Sequence, residues 1–164
     1  MDELLRRKPN RLKDYDYSRN GCYFVTICVK GRQKLLGNVG ANCVRQGIHQ
    51  NLSAQGKIIE KEIGILSETY DSVNVDKYVI MPNHIHMIII INVNGQEVSR
   101  RTQFAPTVSR IIKQFKGSIT KKIGSSIWQR SFHDHIIRNE ADYQRIWLYI
   151  DMNIVKWEED CYYV

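Results

Sequence analysis

The sequence predicts an α+β fold, a ferredoxin-like two-layer sandwich in which an antiparallel sheet carries its helices mainly on one face. Segments with the alternating pattern of strands are interleaved with segments that repeat apolar residues every three or four positions, as helices do. Their order is strand, helix, strand, strand, helix, strand, helix, which suits an antiparallel sheet covered by helices. No repeat or change in composition marks a boundary, so we expect one domain over residues 1–164.

Length and composition indicate a globular protein that is not secreted. The 164 residues are 43% hydrophobic and include only three prolines, which favours a packed core over disorder. The longest apolar run is far shorter than the roughly 20 residues of a membrane helix, and residues 1–20 form a charged leader. The four cysteines form no CxxC pair, which favours reduced thiols over a disulfide or a zinc site. We therefore expect a soluble, cytoplasmic protein.

The first strand is predicted from Tyr23 to Val29, where aromatic and β-branched residues alternate. Glycines then divide the chain up to His49 into short pieces, with a short strand expected from Lys34 to Leu36. From Ser53 the apolar spacing changes to that of a helix. The apolar face of this helix consists of Ile59, Ile63, Leu66 and Tyr70.

A hairpin with two histidines follows this helix. Pro82 and Asn83 interrupt an apolar run, which predicts a turn between one strand over Val75 to Met81 and another over His84 to Ile91. Because side chains alternate along a strand, His84 and His86 point to the same face, beside the turn and near solvent. Two adjacent imidazoles suit a metal ion, but H-x-H alone is a weak motif because most surface histidine pairs bind nothing.

A second helix, capped by Thr107, combines an apolar stripe with basic residues. It follows a polar loop over residues 92–103. The net charge of +7 favours a polyanionic partner, and the clustering of positive charge favours nucleic acid. Each lysine alone fits an ordinary solvated surface, whereas the group fits a track for backbone phosphates. The track comprises Arg110, Lys113, Lys116, Lys121 and Lys122, with Arg130 and Arg138 as further candidates.

The last predicted strand runs from Ile127 to Arg138, and it carries two further histidines. Alternation places His133 and His135 on one face of this strand and Asp134 on the other. Such residues near a candidate site can support it, but a histidine satisfied within the sheet is an equally good interpretation.

A third helix, capped by Asn139, carries Tyr149 and Asn153 one turn apart beside its apolar face. A helical tyrosine beside such a face usually serves packing, so this pair alone is weak evidence. Combined with the two histidines, it would provide an amide oxygen for a metal ion and a phenol that can attack what the ion polarises.

Three segments carry a resemblance to a known family: YVIMPNHIHMIIII, IWQRSFHDHIIRNEADY and LYIDMNIVK. In this order and at these separations they resemble the signatures of the single-tyrosine HUH transposases of the insertion-sequence type, and most of all the REP-associated tyrosine transposases. The similarity extends from about Tyr23 to Lys156. Ile154 departs from the pattern, which has proline after the asparagine. This difference alters the helix end but removes no catalytic group.

The resemblance implies a role for each part of the site. His84 and His86 would bind a divalent ion, magnesium or manganese, with Asn153 as the third ligand. Tyr149 would attack a DNA phosphate in line to form a 5′-phosphotyrosine and release a 3′-hydroxyl. Asp134 and His135 are similar to a supporting Asp-His pair of the family. The implied partner is single-stranded, hairpin-forming DNA, and the resemblance is compatible with a homodimer.

Two other functions remain open from the residues alone. A nucleic-acid-binding module on the same fold would keep its binding after chelation of metal and after Tyr149→Phe. A metal-dependent nuclease that uses water would cleave DNA without a covalent protein–DNA bond. The Y-I-x-x-N spacing at Tyr149 favours the transposase through the resemblance.

Overall fold

The protein is described by a computed structural model over residues 20–39, 51–92 and 106–164. Predictions for the charged leader before residue 20, for most of the glycine-containing stretch and for the polar loop from residue 93 onward lie outside these described residues. Within them, no helix combines the length and the apolar character that crossing a bilayer requires.

The described residues form six strands and three helices, in the order that the sequence patterns predict for the sheet and helices. The elements are β1 Gly21–Cys28, β2 Gly37–Asn38, β3 Asn51–Leu52, α1 Ala54–Thr69, β4 Val73–Met81, β5 His84–Ile91, α2 Val108–Ile123, β6 His133–Ile137 and α3 Glu140–Met152. Four strands form an antiparallel sheet in the order β4-β5-β1-β6, and β2 pairs with β3 in a small ribbon. The predicted α+β fold is confirmed.

Two short predictions were wrong in detail. The short strand expected from Lys34 to Leu36 lies instead at Gly37–Asn38. The last strand is shorter than the predicted range of 127–138, because Trp128 makes only an isolated bridge with Val29 before the chain turns into β6. The residues just before His133 alternate in the sequence without belonging to the sheet, so the pattern resembled a longer strand.

The two faces of the sheet carry separate apolar clusters. α1 and α2 pack on the face that presents Val25, Met87 and Ile89. α3 packs on the opposite face, where Ile88 contacts apolar side chains of that helix such as Ile146. Two of the three helices thus share one face, and α3 covers the face to which the histidines of β5 point.

A β-bulge in β4 connects the sheet to α3. The register of β4 against β5 slips at Asp76, and a bulge of this kind sets two consecutive residues opposite one on the partner strand. The side chains of Asp76 and Lys77 both reach α3, since Asp76 accepts a hydrogen bond from the Tyr143 hydroxyl and Lys77 pairs with Asp151 at 2.6 Å. The Lys77 ammonium also lies 3.6 Å from the centre of the Trp147 ring. These contacts help to fix the helix that carries Tyr149.

Side-chain caps start the three helices. The Ser53 hydroxyl accepts a hydrogen bond from the Gly56 N–H, and the Thr107 hydroxyl accepts one from the Arg110 N–H. The Asn139 side chain accepts the Asp142 N–H at the start of α3. The predicted caps Thr107 and Asn139 are therefore confirmed.

Candidate functional site

His84 and His86 open β5 side by side, and their inner ring nitrogens converge. The two Nε2 atoms lie 2.9 Å apart. Both side chains are buried, at 0% and 1% exposure, so the expectation that they lie near solvent was wrong. They are buried because residues 157–164 fold back over them, with the ring centre of Tyr162 4.6 Å from that of His84.

Polar neighbours fix the outer ring nitrogens. Asn83 donates through Nδ2 to the carbonyl oxygen of Tyr162 at 2.8 Å, so its Oδ1 faces His84 as an acceptor. The Nδ1–H of His84 therefore donates to Asn83 over 2.8 Å, which leaves the lone pair on Nε2. His86 Nδ1 lies 2.8 Å from the Thr26 hydroxyl. Metal-binding histidines are commonly oriented by such hydrogen bonds on the outer nitrogen.

Burial keeps both imidazoles neutral. It is the main cause that lowers the pKa of His84 to about 3, and the neighbouring His86 adds to the effect. Burial likewise lowers the pKa of His86. Neutral imidazole is the form that binds a metal ion, so both rings are ready as ligands at neutral pH.

A carboxylate that the sequence did not reveal joins the two histidines. Asp160 follows a 3₁₀ turn at Trp157–Glu159, and its side chain is only 1% exposed. Its Oδ2 atom lies 4.0 Å from Nε2 of His84 and 4.0 Å from Nε2 of His86. All three ligand atoms lie within 4.8 Å of one another, so the group is able to hold a divalent cation.

The carboxyl of Asp160 is ionised despite its burial. Burial alone would raise its pKa, but contact with His86 and hydrogen bonds from the Tyr162 N–H and the Asn153 amide lower it below its usual range. The Tyr162 N–H donates to Oδ1 at 2.7 Å, which leaves Oδ2 directed toward the cluster. The site thus combines two neutral rings with one buried negative charge.

Tyr149 reaches the same cluster from the last turn of α3. Its hydroxyl lies 3.2 Å from His86 Nε2 and donates to Asp160 Oδ2 over 3.2 Å. The residue is 40% exposed, so solvent and a substrate reach it from outside while its hydroxyl points inward. Burial, followed by the negative charge of Asp160, raises the pKa of Tyr149, which keeps the phenol protonated at neutral pH.

Asn153 lies one turn beyond Tyr149, with its side chain buried. Its Nδ2 donates to Asp160 Oδ2 over 2.9 Å. An ionised carboxylate only accepts hydrogen bonds, so the amide must present its nitrogen and not its oxygen to Asp160. Its Oδ1 is buried and has no hydrogen-bond partner among the described residues. An unpaired buried carbonyl costs about 1–3 kcal/mol. Next to two imidazoles and a carboxylate, this free oxygen fits a site that accepts a divalent cation.

Comparison with known proteins points to one family. No protein-family model matches the chain. A Haemophilus influenzae protein described as "Uncharacterized protein" is 33% identical over 174 residues, covering 96% of this chain and 93% of that protein. A second Haemophilus influenzae protein, named "Putative REP-associated tyrosine transposase", is 28% identical over 146 residues, covering 86% of this chain and 74% of that protein.

A solved structure shares the fold. It carries the description "Structure of the REP associates tyrosine transposase bound to a REP hairpin" and matches with a TM-score of 0.60 and 22% identity, over 90% of this chain and 74% of its own. The chain is thus similar to one REP-associated tyrosine transposase in sequence and to another in fold. The resemblance carried by the histidine hairpin and the tyrosine helix is thereby confirmed.

A cleft of about 520 Å³ lies beside the cluster of His84, His86 and Asp160. It is lined by Tyr149, Asn153 and Asp160 together with the basic residues Arg145 and Lys156. Arg145 forms an ion pair with Asp142 at 2.6 Å. The sequence did not single out these two cations, because one basic residue on an exposed helix turn has no distinguishing pattern.

The basic residues selected from the sequence lie apart from this cleft, and two of them have partners within the protein. Lys116 donates to the carbonyl oxygens of Gln129 and Ser131 at 2.8 and 2.7 Å. Lys122 forms an ion pair with the buried Glu62 of α1. Both belong to α2, on the face of the sheet opposite Tyr149. The other predicted members are exposed: Arg110, Lys113, Lys121, Arg130 and Arg138.

The predicted supporting residues Asp134 and His135 point to opposite faces of β6. His135 lies opposite Phe24 of β1, on the face that α3 covers, and its Nε2 is 2.7 Å from a carboxylate oxygen of Asp142. Asp134 lies opposite Val25 and points to the other face. The two side chains therefore lie on opposite sides of the sheet, and His135 links β6 to the first turn of α3.

Proposed function

We propose that this protein is a single-stranded DNA transposase, which cleaves and rejoins DNA through a 5′-phosphotyrosine on Tyr149. The observation that supports this proposal is the hydroxyl of a half-exposed tyrosine, 3.2 Å from a buried cluster suited to a divalent cation, in a chain similar to a tyrosine transposase. The solved structure that shares the fold is described as bound to a REP hairpin, and we extend a hairpin-forming, single-stranded substrate to this chain.

The ion would be magnesium or manganese, held by His84 and His86. Imidazole nitrogen suits manganese at least as well as magnesium. When bound, the ion would stabilise the negative charge that develops on the phosphate. His84 and His86 would be held for this purpose through Asn83 and Thr26, whose side chains contact the outer ring nitrogens.

Tyr149 would carry out the covalent step. Its phenolic oxygen forms a bond to phosphorus while the bond from phosphorus to the 3′ oxygen breaks, and the 3′ oxygen takes a proton from water. The phenolic proton leaves to water. The 3′-hydroxyl of a second strand later attacks the phosphotyrosine, which restores the phenol and joins the strands without a nucleotide cofactor.

DNA would enter along the cleft beside α3. Arg145 and Lys156 line the cleft and are suited to contact backbone phosphates next to the scissile bond. Arg130 and Arg138 flank β6, the strand at the edge of the sheet, and would extend the contact outward. The exposed residues of α2 remain part of the proposal as more distant phosphate contacts: Arg110, Lys113 and Lys121.

The test is a denaturing gel with labelled single-stranded hairpin DNA taken from the sequence that flanks the gene. Wild-type protein with Mn²⁺ is expected to give a labelled covalent adduct that chelator abolishes. Tyr149→Phe is expected to give none, because it lacks the attacking oxygen.

Tyr78→Phe is the matched control, since Tyr78 is 38% exposed, close to the exposure of Tyr149, but lies outside the cluster. This variant is expected to form the adduct like the wild type. Metal-dependent cleavage that persists in Tyr149→Phe without an adduct would replace the proposal with a water-dependent nuclease. Binding without cleavage by the wild type would favour a binding module.

A further inference from the structure

We infer that Asp160 is itself a ligand of the divalent ion and supplies the negative charge that the ligand set of His84, His86 and Asn153 lacks. This inference rests on the proposed function for the role of the ion. It differs from the assignment that the family resemblance implies, which contains two imidazoles and one neutral amide. It gives residues 157–164 a direct part in the site.

The distances between the ligand atoms support this assignment. Two atoms that each lie about 2.1 Å from one ion are separated by about 3 to 4 Å, depending on the angle at the ion. The two histidine Nε2 atoms are 2.9 Å apart, and Asp160 Oδ2 is 4.0 Å from each of them. The carboxylate oxygen is thus equidistant from both rings, as a ligand that completes the set would be.

Burial and charge give a second argument. The Asp160 side chain is 1% exposed, and its ion-pair partners in the described part of the chain are the two histidines. The outer nitrogen of His84 donates to Asn83, which leaves its inner nitrogen as a lone pair rather than as a donor. The buried negative charge of Asp160 is thus held by hydrogen bonds next to two neutral rings, and a divalent ion between them would supply the positive charge.

The neighbouring groups hold the carboxylate in a position to bind. The Tyr162 N–H donates to Oδ1, and Asn153 Nδ2 donates to Oδ2. Asn153 then keeps its own Oδ1 free, which is the one unpaired atom beside the cluster in the described residues. Asn153 would therefore both position Asp160 and offer a neutral oxygen, while Asp160 contributes the charge that determines affinity.

Direct measurement of Mn²⁺ binding tests the inference without any need for DNA. The electron paramagnetic resonance signal of free Mn²⁺ is titrated against full-length protein. The wild type is expected to bind one ion per chain, and Asp160→Asn to bind at least about tenfold more weakly, as the loss of a charged ligand requires. Glu158→Gln, an exposed residue of the same segment, makes the same change in charge and is expected to bind like the wild type.

A second variant separates a ligand from a merely structural residue. Asp160→Glu keeps the carboxylate and is expected to bind Mn²⁺ more tightly than Asp160→Asn. Hydrogen exchange adds a readout of the segment itself, since Mn²⁺ should increase the protection of residues 157–164 in the wild type and less in Asp160→Asn. Circular dichroism in chelator checks that each variant is folded.

The outcomes distinguish this inference from the proposed function. The ligand role is overturned if Asp160→Asn loses less than tenfold in Mn²⁺ affinity, if the Glu and Asn variants lose affinity equally, or if the wild type binds no Mn²⁺. If the wild type also forms the Tyr149 adduct, the transposase proposal survives that result. If Asp160→Asn loses Mn²⁺ as expected but the wild type forms no adduct, the ligand assignment stands and the transposase proposal fails.

Discussion

The imidazoles of His84 and His86 contact polar groups that lie outside their cluster with Asp160. Thr26 lies opposite His86 in the ladder between β1 and β5, so the backbone pairing itself brings the hydroxyl to the ring. Asn83 precedes His84 in the hairpin turn and orients that ring. Each histidine therefore has a polar partner that is fixed by local structure.

Thr26→Val tests this orientation. The substitution keeps the shape of the side chain but removes the oxygen that contacts His86 Nδ1, so we expect Mn²⁺ affinity to fall by about 10- to 100-fold. Thr69→Val, which changes an exposed threonine of α1, is the control and should leave affinity unchanged. Equal Mn²⁺ affinity in Thr26→Val and the wild type, measured by the same titration, would show that the hydroxyl does not orient the ring.

At the level of residues, the sequence indicated some members of the site but not others. Alternation in a strand predicts that His84 and His86 share a face, and helical spacing places Tyr149 and Asn153 on adjacent turns. Asp160 has no such signal, because it lies in an irregular segment without a period and in an acidic run of the kind that is usually solvated. The burial of the two histidines was missed because the same irregular segment, residues 157–164, covers them.

At the scale of elements, an ion pair joins α1 and α2, and the spacing of polar residues in the sequence does not reveal it. Glu62 is buried on α1, whereas Lys122 of α2 is partly exposed. Burial would raise the pKa of Glu62, but hydrogen bonds from Lys122 and Ser118 outweigh it and lower the pKa below its usual range. Lys122 therefore stabilises the packing of the two helices and is a weaker candidate for DNA than its neighbour Lys121.

The adjacent lysines allow a matched comparison. Lys122→Met leaves Glu62 buried without its cation, so we expect the free energy of unfolding to fall by about 1–3 kcal/mol. Lys121→Met removes the same charge from an exposed position and should change it by less than about 0.5 kcal/mol. Urea denaturation measures both values. Equal stabilities of the two variants would contradict a structural role for Lys122.

The same pair predicts how stability depends on pH. Because the folded-state pKa of Glu62 lies below the unfolded value of about 4.3, the carboxylate stabilises the fold above that pH and loses its contribution as pH falls through the folded pKa. The difference in unfolding free energy between wild type and Glu62→Gln should be constant above about pH 5.5 and shrink in more acidic solution. A difference that grows on acidification would show that folding raises the pKa of Glu62 instead of lowering it.

At the scale of the whole molecule, the sheet separates the two regions on which the proposed function relies. α3 and residues 157–164 build the cluster and the cleft on one face, whereas α2 carries its basic residues on the other. DNA that reaches Tyr149 and also contacts α2 would have to pass around an edge of the sheet. The exposed residues Arg130 and Arg138 flank β6 at one such edge.

The fold as a whole was predictable, but the distribution of helices between the faces was not. Apolar periodicity identifies the buried side of each helix, and it gave the order of elements and the antiparallel sheet. It does not state which face of the sheet a helix covers, because both faces of β1 and β5 are apolar. The bulge at Asp76 could not be predicted from alternation either, since it changes which side chains of β4 point to each face of the sheet.

The most direct test of the account is to locate the covalent bond between protein and DNA. Wild-type protein is incubated with Mn²⁺ and hairpin DNA, the complex is digested with nuclease and protease, and the peptides are analysed by mass spectrometry. We expect one peptide that carries a nucleotide on Tyr149 through its 5′-phosphate. A nucleotide attached to another residue, or cleaved DNA without any modified peptide, would contradict it.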